Sequence, residues 1–237
     1  MPSRGGQRAL AYLDLVQPES LLDIHNTSGA GPDFAVTLTD TDRHRALAQL
    51  FTHRMIVTNL RMGALMEVSN QRLPAITVEC GGAQDPVADR TAYAGLCRYL
   101  CCDNLFATLP APSLFEIYEQ PFRMELRADT QLEYSEIPSG NADICIPPEI
   151  ENYNFGKIDQ HHLLARLNAE DMSKIDVRDD KGTQKRDDFF EYRDGALFAR
   201  QPLRLFMATT RADIAISDCL FYFVQDKHYQ RGTGEPP

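Results

Sequence analysis

The stretches Leu21-Leu22-Asp23-Ile24-His25-Asn26-Thr27-Ser28-Gly29 and Ile76-Thr77-Val78-Glu79-Cys80-Gly81-Gly82 decide how this chain is read. Each is an apolar run that ends in one polar residue and then a glycine-containing turn. Such runs predict buried strands, and open α/β sheets place their chemistry where a rigid strand ends and an accessible loop begins. A histidine at one tip and a glutamate at the other have the chemistry of a metal ligand and its proton-shuttling partner. Each residue alone has a blander reading: His25 as a hydrogen-bonded structural residue, Glu79 as a surface or capping acid. The apolar setting Ala75-Ile-Thr-Val-Glu-Cys favours function for Glu79, because an ionised carboxylate is costly to bury without a partner.

Outward from these strands, residues 7–16 read as a short amphipathic helix stopped near Pro18. Strands are predicted over 20–25, Phe34–Thr39, Met55–Thr58 and Ala75–Cys80, and 63–68 reads as helical. Asp40-Thr41-Asp42 offers N-caps for a helix to about Thr52. Asp85 caps a longer helix to about Cys102, with Pro86 at its favoured first position. Strands alternating with helices predict an α/β fold: a mainly parallel or mixed sheet flanked by helices. Thr108-Leu-Pro-Ala-Pro-Ser113 reads as a linker, which divides the chain into an α/β domain over 1–112 and a β-rich domain over 113–237. In the second half, 115–126, 132–135 and 189–193 alternate as strands, and Asp194-Gly195 is a hairpin signal. Residues 203–224 read as two more strands, 156–168 as one helix, 169–188 as a charged loop and 230–237 as a disordered tail.

Composition narrows the function. The net charge of −10 argues against nucleic acid or an anionic membrane as partner, since both reward basic surface. No apolar run approaches the ~18–20 residues that span a bilayer. The amino terminus is too short and polar to read as a signal peptide, and a cytoplasmic location follows by default. Cys80, Cys97, Cys101, Cys102, Cys145 and Cys219 lack zinc-knuckle spacing and read as buried reduced thiols. Cys80 as a catalytic nucleophile needs a base histidine to which the sequence does not point.

Asp23-Ile-His-Asn-Thr-Ser-Gly29 followed by Val78-Glu-Cys-Gly-Gly82 resembles the second half of the catalytic domain of the succinylglutamate desuccinylase/aspartoacylase family, a branch of the zinc carboxypeptidase superfamily. Phe115-Glu-Ile-Tyr-Glu-Gln-Pro-Phe-Arg123 is similar to the start of that family's C-terminal β domain. The resemblance is good over 15–125 and loose from there to about 225. It implies a partial zinc-carboxypeptidase-like domain, with His25 as a zinc ligand and Glu79 as the general base and acid. It implies hydrolysis of the amide bond of an N-acyl amino acid or similar small molecule. Asn26 and Thr27 sit beside the ligand and are candidates to orient it or to bind substrate. Arg61 and Arg72 are weaker candidates for gripping a substrate carboxylate. Ser69 stands where aspartoacylase itself carries an arginine.

The resemblance also exposes a gap. The family takes its other two zinc ligands from an upstream H-x-x-E motif, and only 24 residues precede His25, none of them histidine. The expectation is a family member lacking the amino-terminal part of its catalytic domain, with an incomplete zinc site and little or no activity. Three explanations stay open: a fragment or misplaced start, a relative that binds without catalysis on a degenerate metal site, or replacement ligands from this chain or another subunit. His53 and the His161-His162 pair are the replacement candidates, although a solvated or capping role suits the pair better. His44 reads as surface, and His228 receives no role. A chain lacking part of its sheet also leaves apolar edge and surface exposed, which favours homo-oligomerisation.

Overall fold

Five strands of the first half form one sheet: β1 (Leu21–Thr27), β2 (Phe34–Thr37), β3 (Arg54–Val57), β4 (Ala75–Gly82) and β5 (Glu116–Glu119), in the order β1-β4-β2-β3-β5. The structure, a computed structural model, describes residues 4–60, 63–168 and 172–226. The tail from 230 on, His228 and Arg61 lie outside the described residues. β1 and β4 are parallel, β2, β3 and β5 are parallel to one another, and β2 runs antiparallel to β4. The sheet is therefore mixed, and the carboxyl ends of β1 and β4 lie opposite those of β2, β3 and β5. β5 follows the proline-rich stretch 108–113 in sequence and completes this first sheet through β3.

Helix α1 (Arg4–Val16) precedes β1, and helices α2 (Asp42–Ala48) and α3 (Pro86–Leu100) begin at capping residues. The Thr41 hydroxyl accepts the His44 N–H, and the Asp85 carboxylate accepts the Val87 N–H at 2.8 Å, so each satisfies a donor that a helix start leaves orphaned. Leu65–Val68 makes a single 3-10 turn. No helix among the described residues is long and apolar enough to cross a membrane.

Alternation along β4 assigns the faces. Ile76, Val78 and Cys80 join Leu47, Ala48, Phe51 and Ala88 of the α2 and α3 regions in one core. The residues between them turn the other way. There Phe34, Val36 and Ile56 meet Phe206, Tyr222 and Val224 from the second half. Helices thus cover one face of the sheet, and a second β layer, rather than more helices, covers the other.

That layer belongs to two further five-stranded sheets. β6 (Phe122–Leu126), β7 (Leu132–Tyr134), β8 (Ile144–Ile146), β9 (Lys157–Ile158), β10 (Leu163–Leu167), β11 (Ile175–Arg178), β12 (Phe190–Arg193), β13 (Ala196–Ala199), β14 (Leu203–Phe206) and β15 (Phe221–Gln225) arrange as β12-β13-β10-β8-β7 and β11-β6-β15-β14-β9. Phe221 and Phe223 point into the core between these two sheets, while Tyr222 and Val224 point at the first sheet. β15 is therefore buried on both faces, which accounts for its unbroken run Phe-Tyr-Phe-Val.

Two expectations for this half are corrected, and the two strands expected over 203–224 are joined through a short helix. Residues 156–168 form β9 and β10 rather than a helix: His161 takes a positive φ of 66° that breaks the run, and β10 pairs with both β8 and β13. The charged 169–188 stretch contains β11, whose Ile175 and Val177 alternate into the core, and the short helix α4 (Arg186–Phe189). Between β14 and β15 lies α5 (Ala212–Ser217).

β1 is an edge strand with β4 as its neighbour in the sheet. Leu21 N–H donates to Pro74 and Thr27 C=O accepts from Ala83, so odd-numbered peptide groups face β4 and those of Leu22 and Ile24 face outward. Close in sequence, α1 exposes Tyr12, Leu15 and Val16, and α3 exposes Tyr93 and Leu100. An open strand edge together with exposed apolar residues drives association between chains. Concentration-dependent self-association is expected in analytical ultracentrifugation, and Leu22→Pro, which removes one outward N–H without touching the bonds to β4, should shift the distribution toward monomer. An unchanged sedimentation profile for Leu22→Pro would remove the edge as the cause.

Candidate functional site

In the parallel register of β1 with β4, His25 lies directly opposite Glu79, and Asp23 opposite Thr77. Paired residues of neighbouring strands point to the same face, so these four side chains share the face turned toward the second half of the chain. His25 Nε2 bonds Asp23 Oδ1 at 3.0 Å, and its Nδ1 lies 3.9 Å from Glu79 Oε1, beyond hydrogen-bond length. The imidazole is half exposed at the sheet edge, whereas Glu79 is buried. Glu79 Oε2 and the neighbouring Thr77 Oγ1 have no hydrogen-bond partner among the described residues. Two orphaned oxygens side by side in a buried strand are unusual, because buried polar groups are nearly always satisfied.

Burial pushes the Glu79 carboxyl above the ordinary glutamate pKa, the His25 imidazole pulls it down, and the Asp23 carboxylate pushes it up. Desolvation is the largest cause. A carboxyl raised in this way holds its proton closer to neutrality, as a general acid or base requires. Cys80, the next residue, faces the helices; burial, then Glu79 and Asp33, push its thiol up to about 11. A thiol so raised stays protonated at neutral pH, which weighs against the nucleophile reading for Cys80.

Asp23 is the residue whose role the sequence reading missed. Two residues apart on a strand means one shared face, and an aspartate two before a histidine was the available signal. It fixes the ring so that Nδ1 is the nitrogen left without a hydrogen bond, in the way carboxylates orient zinc-ligating imidazoles. A catalytic zinc takes three protein ligands. Among the described residues no group of three His, Cys, Asp or Glu side chains is arranged to hold a metal. The described residues therefore do not by themselves make up a zinc site.

The remaining candidates fall as follows. Asn26 is exposed and, with Ile24, His25, Cys80, Ala88, Asp89 and Ala92, lines a cleft of about 210 Å³ between the end of β1 and the start of α3. Glu79 is not part of that lining. The buried Thr27 hydroxyl lies 2.9 Å from Gly29 O and 3.3 Å from Gly81 O, where it ties the ends of β1 and β4 together. Arg72 is exposed ahead of the start of β4, at the opposite end of the strand from Glu79. His53 stacks near Phe115, His161 lies 3.4 Å from Glu191, and His162 meets the Tyr153 ring. A larger cavity of about 270 Å³ opens elsewhere, lined among others by Asn59, Gln120, Phe122 and Lys181, beyond the ends of β3 and β5.

Two readings are corrected. His44 is buried rather than on the surface, with Nδ1 2.7 Å from Thr41 Oγ1 and Nε2 2.8 Å from Ser69 Oγ. Of the six cysteines, Cys101 and Cys102 are exposed and Cys97 is partly so, because the end of α3 that carries them turns its side chains outward.

No protein-family model and no curated protein matches this chain. Among solved structures it is similar to a Shewanella frigidimarina protein named as a succinylglutamate desuccinylase/aspartoacylase, with TM-score 0.50, 15% identity, and 95% of this chain and 58% of that one covered. Succinylglutamate desuccinylase from Chromobacterium violaceum (TM-score 0.46, 12% identity, 94% and 61% covered) and murine aminoacylase 3 (0.44, 10%, 94% and 70%) are also similar. The chain spans about three fifths of the length of the Shewanella structure. At this identity the likeness concerns the fold: an α/β fold with mixed sheets, shared with a structure of the succinylglutamate desuccinylase/aspartoacylase type.

Proposed function

We propose that the Asp23–His25–Glu79 group is half of the active centre of a zinc-dependent deacylase acting on the amide bond of N-acyl amino acids or similar small molecules. One observation carries this reading: a buried carboxylate with an unpartnered oxygen faces an imidazole whose other nitrogen an aspartate holds. In this assignment His25 offers Nδ1 to the metal, which would polarise the amide carbonyl when bound. Asp23 fixes the ring, and Glu79 carries a proton from the attacking water to the leaving amine. Because the described residues provide one metal ligand, weak zinc binding and little or no turnover are proposed for this chain by itself. The absence of a three-ligand group among the described residues favours a second reading, a binding protein on the same fold that has lost catalysis.

Calorimetric zinc titration and an assay against N-acetyl and N-succinyl amino acids separate the two. The deacylase reading expects weak zinc binding that His25→Ala abolishes, and a detectable residual hydrolysis that Glu79→Gln takes down to background. Full turnover in Glu79→Gln removes the role given to that carboxylate. Zinc binding with no hydrolysis of any amide supports the binding protein.

Stability offers a metal-free check on Glu79. Its folded pKa lies above the unfolded one, so between the two values the folded state binds the extra proton and stability falls as pH rises. The penalty is absent below the ordinary glutamate pKa and complete above the raised one. Glu79→Gln cannot ionise and should be more stable than the wild type at neutral pH, by about 1 kcal/mol or more. That gain should shrink as pH falls toward about 4. Thermal melts across this range showing a pH-independent difference would mean that Glu79 is solvated in the fold.

A further inference from the structure

Beyond His25 the two key strands stop matching residue for residue: Thr27 pairs with Gly82, and the register shifts between His25 and Thr27. The chain then turns through residues 28–32 over the end of β4. Here three backbones lie against one another. A Cβ on Gly82 would come within 2.9 Å of Gly29 O, and one on Gly29 within 2.2 Å of Ala208 O, in the loop that follows β14. Such contacts admit only glycine.

Ala30, in the middle of this turn, has both its peptide groups taken by side chains from the second half. Its N–H donates to Glu151 Oε2 at 2.8 Å, and its C=O accepts from Asn154 Nδ2 at 2.6 Å. Each of these side chains also grips the loop after β14. Glu151 Oε1 accepts the Thr210 N–H at 2.6 Å and the Thr210 hydroxyl at 2.7 Å. Asn154 donates to Ala208 O at 2.9 Å and accepts the Ala208 N–H at 2.8 Å. Residues three apart on a 3-10 turn line up on one side, and Glu151 lies on the turn Pro148–Tyr153 with Asn154 as its C-cap. A side chain that satisfies two peptide segments at once fixes their separation. A carboxylate accepting three hydrogen bonds does so more strongly than a neutral group.

We propose that Glu151 and Asn154 are positioning residues that lock the turn after β1 onto the second half and thereby set the placement of His25 against Glu79. The two residues touch neither His25 nor Glu79; they act through Ala30 and the strand behind it. The proposal concerns geometry alone and stands whether or not the centre hydrolyses amides, so its test uses neither metal nor substrate.

Amide exchange followed by NMR reads the clamp in the intact wild-type chain. The Ala30 amide should be protected although it lies in a turn; exchange at the free-peptide rate overturns the proposal without any variant. Glu151→Gln replaces one acceptor by a donor at unchanged size, and Asn154→Ala removes the second arm. Each should speed Ala30 exchange by about 10- to 100-fold, the worth of charge-assisted bonds, and should shift the ring 15N signals of His25. Ile175→Val, a core truncation in β11, serves as the control for general loosening. If the His25 ring signals move equally in Ile175→Val, or stay fixed in both clamp variants, Glu151 and Asn154 have a structural role only.

Discussion

The parallel pairing of β1 with β4, in the one register that sets His25 opposite Glu79, is the constraint on which the rest of this structure depends. Side chains on a strand alternate, so a slip of one residue would send Glu79 into the helix-side core and bring Val78 out in its place. Several contacts hold the register at both ends. Ser20 Oγ meets Tyr99 OH at 2.9 Å beside the start of β1, while the Thr27 hydroxyl and Ala83 N–H bridge the strand tips. Between them Ile76 and Val78 of β4 are wholly buried against α2 and α3, with Leu22 and Ile24 of β1 packed beside them. The polar face is thus fixed by what its opposite face buries.

A raised carboxyl pKa needs water kept away, and here the second half does that. Phe34 lies directly across from Glu79 in the antiparallel pairing of β2 with β4, and its ring packs 4.9 Å from Phe155. Phe155 in turn meets Phe206 and Tyr118 at ring distances of 4.8 and 5.6 Å. Tyr118 comes from β5 of the first sheet and Phe206 from β14, so this aromatic cluster is common property of both halves. Exposing side chains of this size costs roughly 1.5–3 kcal/mol each. The proline-rich segment 108–113 marks a change of pattern in the sequence, but not a place where packing stops.

What the sequence made legible follows from the same physics. The tips of β1 and β4 were readable because each is a short apolar run with one polar residue at its end, and α3 because Asp85-Pro86 is a strong start signal. Period-two alternation located β12 and the hairpin at Asp194-Gly195. Failures came where pairing partners, rather than local pattern, decide. Leu163–Leu167 has helix-like composition and becomes a strand because β8 and β13 flank it. Ile175 and Val177 were hidden by charged neighbours. The clamp on Ala30 was beyond reach, because Glu151 and Asn154 lie more than a hundred residues away and bind a peptide group, which carries no sequence signature.

The two histidines of the first half that receive side-chain hydrogen bonds show how to separate chemistry from scaffolding. At His44 every hydrogen is committed. The Ser69 hydroxyl donates to Leu73 O and accepts from Ala75 N–H, so its oxygen takes the Nε2 hydrogen of His44, and the Thr41 hydroxyl donates to Nδ1. Burial lowers the His44 pKa further, with Asp40 opposing and Arg43 and Arg45 reinforcing, so the ring stays neutral and inert. This Ser–His pair stitches the start of α2 to the start of β4. At His25 the count comes out differently. One nitrogen is spent on Asp23, the other meets only a carboxylate oxygen beyond bonding distance, and that carboxylate keeps a second oxygen without a partner. That unspent bonding capacity, beside a half-exposed imidazole, is what the proposed deacylase reading puts to use.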